Sequence, residues 1–215
     1  MNHPTRPPSL WDGQLLHLLS LAVLLVALFY GWHALGAGVP YLFWIAVSFP
    51  IGHQLFVWLS WRVALNAPAG RPALGFKTYL VFFFAFFLGR FASLALLAGY
   101  DEARLGLNVE IRMTLVAICL ALGAYAIYSV ERYFGMSRAA GGDHFNARYR
   151  DMPHVNEGIF RFTKNGMYVY AFLLFWSIPF FFDSAAALLV VAFSHLYIWV
   201  HFYATEKPDM DYLYG

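Results

Sequence analysis

Five apolar stretches, separated by short polar segments, constrain this chain more than any other feature of its sequence. They cover about residues 14–35, 41–61, 78–98, 113–130 and 167–203. A helix needs about 20 apolar residues to cross the roughly 30 Å of hydrocarbon in a bilayer, and each stretch is close to that length or longer. Because 61% of the residues are hydrophobic and only 12% are charged, no separate soluble domain fits between the stretches. The sequence therefore predicts an all-α, polytopic membrane protein.

The last apolar stretch is too long for a single crossing. Its middle contains Pro179 and Asp183, and a proline followed by a charged residue favours a turn. We therefore expect a C-terminal helical hairpin after four earlier helices, which gives about six transmembrane helices. The predicted regions are a flexible N-terminal lead-in over residues 1–13, a four-helix membrane region over 14–130, and a loop, hairpin and tail over 131–215.

The distribution of Lys and Arg predicts the orientation, because cytoplasmic loops are enriched in these residues. Both termini fall on the side that holds most of them, so we predict that both are cytoplasmic, in a bacterial inner membrane. The opposite side has only Arg104 and Arg112. With a net charge of +2 and its cations between apolar stretches, the chain does not have the character of a nucleic-acid-binding protein. The residues on the predicted cytoplasmic side are Arg6, Arg62, Arg71, Lys77, Arg132, Arg138, Arg148, Arg150, Arg161, Lys164 and Lys207.

The predicted hairpin brings two polar segments to the same membrane face. Residues 154–168 read HVNEGIFRFTKNGMY, and residues 201–210 read HFYATEKPDM. Cations, anions and amide donors in one place suit a zwitterionic ligand that carries a carboxylate, an amine and a ribose. The alternative is that these charges are only the solvated ends of helices.

The first segment, with Gly158, Arg161 and the KNGMY run, resembles a signature of integral membrane methyltransferases, His-Gly-Arg-(His or Asn)-Pro-Met-Tyr. These are the phosphatidylethanolamine N-methyltransferase and isoprenylcysteine carboxyl methyltransferase families. Their second signature is a Glu-Glu pair that ends the last membrane helix, and TEKPDMDYLYG occupies the matching place. The likeness is closer to the phospholipid enzymes. Gly166 stands where the family usually has proline, and Lys207 stands where a second glutamate is expected.

The resemblance implies that S-adenosylmethionine binds among the last helices and their cytosolic flanks, while a lipid substrate enters sideways from the bilayer. Charge complementarity assigns the cofactor carboxylate to Arg161 or Lys164 and its amine or ribose to Glu206. His201, from the second polar segment, is a further candidate. The positions that match the two motifs are His154, Gly158, Arg161, Asn165, Tyr168 and Glu206.

Methyl transfer from a sulfonium to an amine is a direct displacement, so the protein mainly has to align the reactants and exclude water. A general base would help to remove the proton of a lipid ammonium. Glu157, His144 and Asp143 are candidates for this role, and water is another proton acceptor. The predicted function is S-adenosylmethionine-dependent methylation of a membrane lipid, most simply at the head-group amine of phosphatidylethanolamine or its partly methylated forms. No metal site is predicted.

Three polar residues inside the apolar stretches have more than one interpretation. Arg90 lies well inside a predicted helix, where it could contact a lipid phosphate, snorkel to the surface or form a structural pair. His53 and His195 have similar predicted depths and could ligate a haem in a non-enzymatic membrane subunit, or each could form hydrogen bonds between helices. The sequence is also compatible with an isoprenylcysteine-type acceptor and with a sterol-reductase-like enzyme that uses NADPH.

Overall fold

The computed structural model describes residues 6–36, 38–68 and 74–215, and helices dominate this part of the chain. Arg71 and residues 1–5 of the predicted lead-in lie outside the described residues. The first four helices match the first four apolar stretches to within a few residues, which confirms the all-α prediction. These helices are α1 (Gln14–Leu35), α2 (Pro40–Leu65), α3 (Phe76–Tyr100) and α4 (Val109–Ser129).

The C-terminal half contains more short elements than its hydropathy indicates. A π-helical turn, Val130–Phe134, extends α4 and leads into a polar segment with two one-turn helices and two 3₁₀ turns. The segment ends in a second π-helical turn before the hairpin. The remaining elements are α5 (Met136–Ala139), α6 (Gly142–Phe145), the 3₁₀ turns Ala147–Tyr149 and Gly158–Arg161, the π turn Met167–Ala171, α7 (Leu173–Phe182), α8 (Ala185–His201), the π turn Phe202–Glu206 and α9 (Lys207–Tyr214).

Within the described residues, five helices are long and apolar enough to cross a membrane. They are α1 to α4 and the continuous helical run Ala185–Tyr214. The apolar helix Met167–Phe182 is shorter than the roughly 20 residues that a crossing requires. The structure confirms the polytopic membrane protein, while a sixth crossing and the orientation of the termini stay predictions.

The helices pack around α8. Helices α1, α2, α3 and α7 all contact α8, α2 also packs along α3, and α4 packs along α7. The interior is filled by apolar side chains such as Phe43, Leu97 and Tyr197, whose side chains are fully buried. Leucine and valine side chains cover the outer face of α1, as expected of a helix whose outer side faces lipid.

The turn between α7 and α8 is held by polar groups from other helices. Asp183 ends α7 in the left-handed conformation, with φ of 60°. Asp101 accepts hydrogen bonds from Ser184 Oγ at 2.6 Å and from the backbone N–H of Ala186 at 2.9 Å. A carboxylate at this place also compensates the positive end of the α8 dipole. The predicted break near Pro179 and Asp183 is therefore confirmed.

We predict that Asp101→Ala will destabilise the hairpin. Asp101 is 2% exposed, and its removal leaves the Ser184 hydroxyl and the Ala186 N–H without their acceptor. We expect a loss of about 2–3 kcal/mol in unfolding free energy, measured by thermal or denaturant unfolding of the purified protein in detergent. The adjacent, exposed Glu102→Ala is the control and should leave stability unchanged. Equal stability of the two variants would contradict the role of Asp101.

Candidate functional site

A cavity of about 360 Å³ lies between α2, α3, α4, α7 and α8. Most of its wall is apolar and aromatic, including Phe83, Phe87 and Phe175. An apolar cavity with a few placed polar groups is typical of a small-molecule site. The polar residues that line it include His53, Gln54, Arg90, Tyr168 and His201.

The two predicted signature segments meet beside this cavity. The first segment ends in the π-helical turn Met167–Ala171, and the second contains the π-helical turn Phe202–Glu206. A π turn shifts the side chains that follow it around the helix and often marks a functional site. The Tyr168 hydroxyl in the first turn donates a hydrogen bond to the Glu206 carboxylate in the second. Tyr168 and Glu206, both predicted from the sequence, are thus brought together.

His201 lies one turn before Glu206 and lines the cavity. Its side chain is nearly fully buried, and neither ring nitrogen has a hydrogen-bond partner among the described residues. The ring packs against Trp61 and His17, with ring centroids 5.8 Å and 5.9 Å away. Because buried polar atoms in native proteins are normally hydrogen-bonded, the His201 nitrogens mark a position where a ligand or water would bind.

Next to the cavity, a buried ion-pair network joins the end of α2 to the C-terminal helix. Arg62 Nε lies 2.8 Å from Asp209 Oδ1, and both side chains are fully buried. The other Asp209 oxygen lies 3.3 Å from His144 Nε2, and His144 Nδ1 lies 3.0 Å from Asp143 Oδ1. Asp143 also accepts a hydrogen bond from the Tyr214 hydroxyl at 2.9 Å. The polar segment after α4 is therefore tied to both α2 and α9.

This network changes the protonation of His144. Burial opposes a charged imidazole, but the hydrogen bonds and charges of Asp143 and Asp209 outweigh it and raise the pKa of His144 to about 9. Burial likewise acts to raise the pKa of Asp143, but His144 outweighs it and holds that pKa below its usual range. His144 therefore carries a proton at neutral pH and faces a carboxylate on each side, an arrangement that suits a structural cation better than the predicted general base.

The same polar segment forms part of the cavity wall through Met136, Ala139 and Ala140. His144 stacks on Trp61, with ring centroids 4.0 Å apart. Gly141 has φ of +83°, and a Cβ there would lie 2.3 Å from the Trp61 ring, so this close approach requires glycine. Trp61 Nε1 donates to the Tyr79 hydroxyl at 2.9 Å, which donates to the Ala140 carbonyl at 2.8 Å. Ala140 is part of the cavity wall.

The other residues predicted for the site in the first signature segment do not line the cavity. Gly158 has φ of +58°, and a Cβ there would lie 2.5 Å from Ser129 Oγ, so its role in the structure is to let the backbone turn against α4. Asn165 is half-buried and does not line the cavity. The remaining predicted residues are exposed, and their roles stay predictions: His154, Glu157, Arg161 and Lys164.

His195, one of the two histidines considered as haem ligands, forms hydrogen bonds to the protein through both ring nitrogens. His195 Nδ1 accepts a hydrogen bond from Trp176 Nε1 at 2.9 Å, and its Nε2 donates to the Tyr168 carbonyl at 2.9 Å. Both nitrogens are occupied by protein groups, which leaves neither for an iron atom. His195 instead positions the backbone of Tyr168. This arrangement argues against the haem hypothesis.

Several residues of the site were not singled out from the sequence. Arg62 and Trp61 belong to an apolar helix end, where they are typical of an interfacial anchor. Tyr79 lies in a run of aromatic residues that gives no sign of its contact with Ala140. The polar His17 and Gln14 at the start of α1 were detectable as polar residues in an apolar stretch, and they bond to Tyr197 at 2.8 Å and Thr205 at 3.1 Å.

A comparison with models of protein families finds a similarity in the C-terminal half of the chain. Residues 111–215 match the family model described as phospholipid methyltransferase. This stretch runs from α4 to the C-terminus and contains both signature segments, so the match confirms the predicted resemblance. Comparisons with curated proteins and with solved structures gave no match.

We predict a pH dependence of stability that is specific to His144. Its pKa is raised from 6.5 to about 9 in the folded protein, so its stabilisation is fully present below pH 6.5 and is lost as pH rises through about 9. Thermal unfolding across this range should show a smaller fall in Tm for His144→Gln than for the wild type. The exposed His154→Gln is the control and should follow the wild-type curve. Parallel curves for all three proteins would refute the charged His144.

Proposed function

We propose that this membrane chain, which carries a phospholipid methyltransferase family region over residues 111–215, transfers a methyl group from S-adenosylmethionine to the head-group amine of a membrane phospholipid. Phosphatidylethanolamine and its partly methylated forms are the proposed acceptors. The observation that carries the proposal is the hydrogen bond from Tyr168 to Glu206, because it joins the two signature segments beside the cavity.

The residues around this hydrogen bond fit S-adenosylmethionine chemically. Glu206 provides a half-buried carboxylate for an amine or the ribose hydroxyls. The Tyr168 hydroxyl donates to this carboxylate and holds it in position. When bound, S-adenosylmethionine supplies a methyl group whose C–S bond breaks with its electron pair left on sulfur, while the amine lone pair forms the new C–N bond.

The protein's own contribution is alignment and the exclusion of water. The aromatic cavity wall excludes water, and the segment tied down by Arg62, Asp209 and His144 forms part of that wall. A lipid ammonium must lose a proton before its nitrogen can react. We assign this proton to His201, because it lines the cavity and a neutral imidazole there can accept it, whereas His144 is already protonated and Glu157 is exposed.

We propose that the site faces the cytoplasm of a bacterial cell. The excess of Lys and Arg on the side of both termini supports this orientation. The site lies at the end of the helices that carries this excess, where α2 and α4 end and α3 begins.

Binding of S-adenosylmethionine should depend on the charge of Glu206. Isothermal titration calorimetry should detect binding to the wild type and about tenfold to a hundredfold weaker binding to Glu206→Gln, which keeps an acceptor for Tyr168 but removes the charge. Glu131→Gln, an exposed carboxylate beyond the end of α4, is the control and should bind like the wild type. A wild type that does not bind would overturn the proposed function. Unchanged binding by Glu206→Gln would overturn only the assignment of Glu206.

The acceptor can be identified by the lipids that the protein modifies. Expression in a host that makes phosphatidylethanolamine but no methylated phospholipid should produce methylated head groups, detected by mass spectrometry of the extracted lipids. His201→Gln should lower their amount by about a hundredfold or more, because the proton acceptor is lost. If the purified wild type methylates a prenylated cysteine and leaves the phospholipids unchanged, the acceptor is of the isoprenylcysteine type instead.

A further inference from the structure

Arg90 is a buried cation in the middle of α3. Its side chain is 5% exposed. Nη2 donates to Ser194 Oγ at 3.1 Å, and the guanidinium carbon lies 4.7 Å and 5.4 Å from the ring centroids of Phe175 and Phe172. Nε has no hydrogen-bond partner, and no ion pair joins Arg90 to a carboxylate, in the part of the chain that the structure describes.

This environment does not balance the charge. An arginine at the centre of a membrane helix is costly to insert, and buried charges in proteins are normally paired. One hydroxyl and two ring faces compensate only part of this cost. Snorkelling does not explain the position either, because the guanidinium points at Ser194, seven residues and about 10 Å along α8 from His201.

A second donor faces the same cavity. His53 on α2 lines it together with Arg90, is 3% exposed and has no partner for either ring nitrogen among the described residues. The surrounding wall is aromatic, so the two polar residues stand in apolar surroundings. This combination of a cation, an imidazole and an apolar wall suits the anionic group of an amphiphile better than it suits a hydrated ion.

Helices α3 and α4 pack more against other helices than against each other. Helices α3 and α4 both contribute to the wall. Their main packing partners are other helices, α2, α7 and α8 for α3, and α7 for α4. The α3–α4 side is therefore not sealed by close helix packing, and acyl chains can extend there into the bilayer while a head group occupies the cavity.

We propose that Arg90 and His53 form an anion-binding site in the membrane-spanning part of the cavity, and that its ligand is the phosphate diester of a membrane phospholipid. The planar guanidinium matches two phosphate oxygens, and Nε is available for one of them. The inference rests on the proposed function in taking this lipid as the methyl acceptor, because the amine joined to the phosphate would then face the His201 end of the cavity.

Lipid retention by the purified protein tests the site without any methyl transfer. The wild type, Arg90→Met and Lys77→Met are incubated separately with vesicles containing phosphatidylethanolamine or diacylglycerol, which lacks the phosphate, and the retained lipid is measured by native mass spectrometry. Lys77 is an exposed cation on the same helix and serves as the matched control. The wild type and Lys77→Met should retain at least about tenfold more phosphatidylethanolamine than diacylglycerol, and Arg90→Met should lose this preference.

The outcomes separate this inference from the proposed function. Equal retention of the two lipids by the wild type would overturn the site whether or not S-adenosylmethionine binds. Full displacement of phosphatidylethanolamine by inorganic phosphate would show a site for the free ion and overturn the lipid assignment.

Because Met replaces a cation that has no carboxylate partner among the described residues, Arg90→Met should be at least as stable as the wild type in thermal unfolding. If it is not, His53→Phe provides the second test and should also lower the preference.

Discussion

The buried ion pair between Arg62 and Asp209 is the interaction on which the site depends most. It joins the end of α2 to α9, and His144 adds the polar segment after α4 to the same cluster. Both side chains are fully buried, and loss of one partner from such a pair typically costs about 3–5 kcal/mol, because the other charge is then uncompensated. Glu206 comes directly before α9, so the helix that the pair anchors also fixes the position of this carboxylate.

The helices of this protein could be predicted because a bilayer leaves the backbone few choices. A segment that spans the bilayer has to satisfy its backbone hydrogen bonds internally, so each long apolar stretch predicts a helix. The predicted limits of α1, 14–35, agree with the structure, and the break near Asp183 was visible from Pro179 and a charge. The short length of α7 was not predicted. The π turn Met167–Ala171 and α7 form one continuous apolar stretch, and its hydropathy does not show where the regular α-helix begins.

The site was predictable only where it is local in sequence. Tyr168 and Glu206 stand at the two ends of one hairpin, so hydropathy alone places them at one face, and the motifs then identify them. Arg62 and Asp209 are far apart in the sequence. Taken alone, each has the position of a solvent-exposed charge at a helix end, so the sequence does not indicate that they pair. His144 had the right residue type for a base, but the two carboxylates that hold its proton are known only from the fold.

The residues that would bind the methyl acceptor are the hardest to predict from the sequence. They lie in apolar stretches whose composition is the same as that of lipid-facing helices. The cavity has polar groups at two depths. Ser194, the partner of Arg90, lies about 10 Å along α8 from His201 and about 18 Å from Glu206. A phosphate at Arg90 would therefore put its head-group amine deeper than Glu206, near His201 and His53. Under the proposed function, Glu206 would hold S-adenosylmethionine, while Arg90 would hold the phosphate and His201 would face the head-group amine deeper in the cavity.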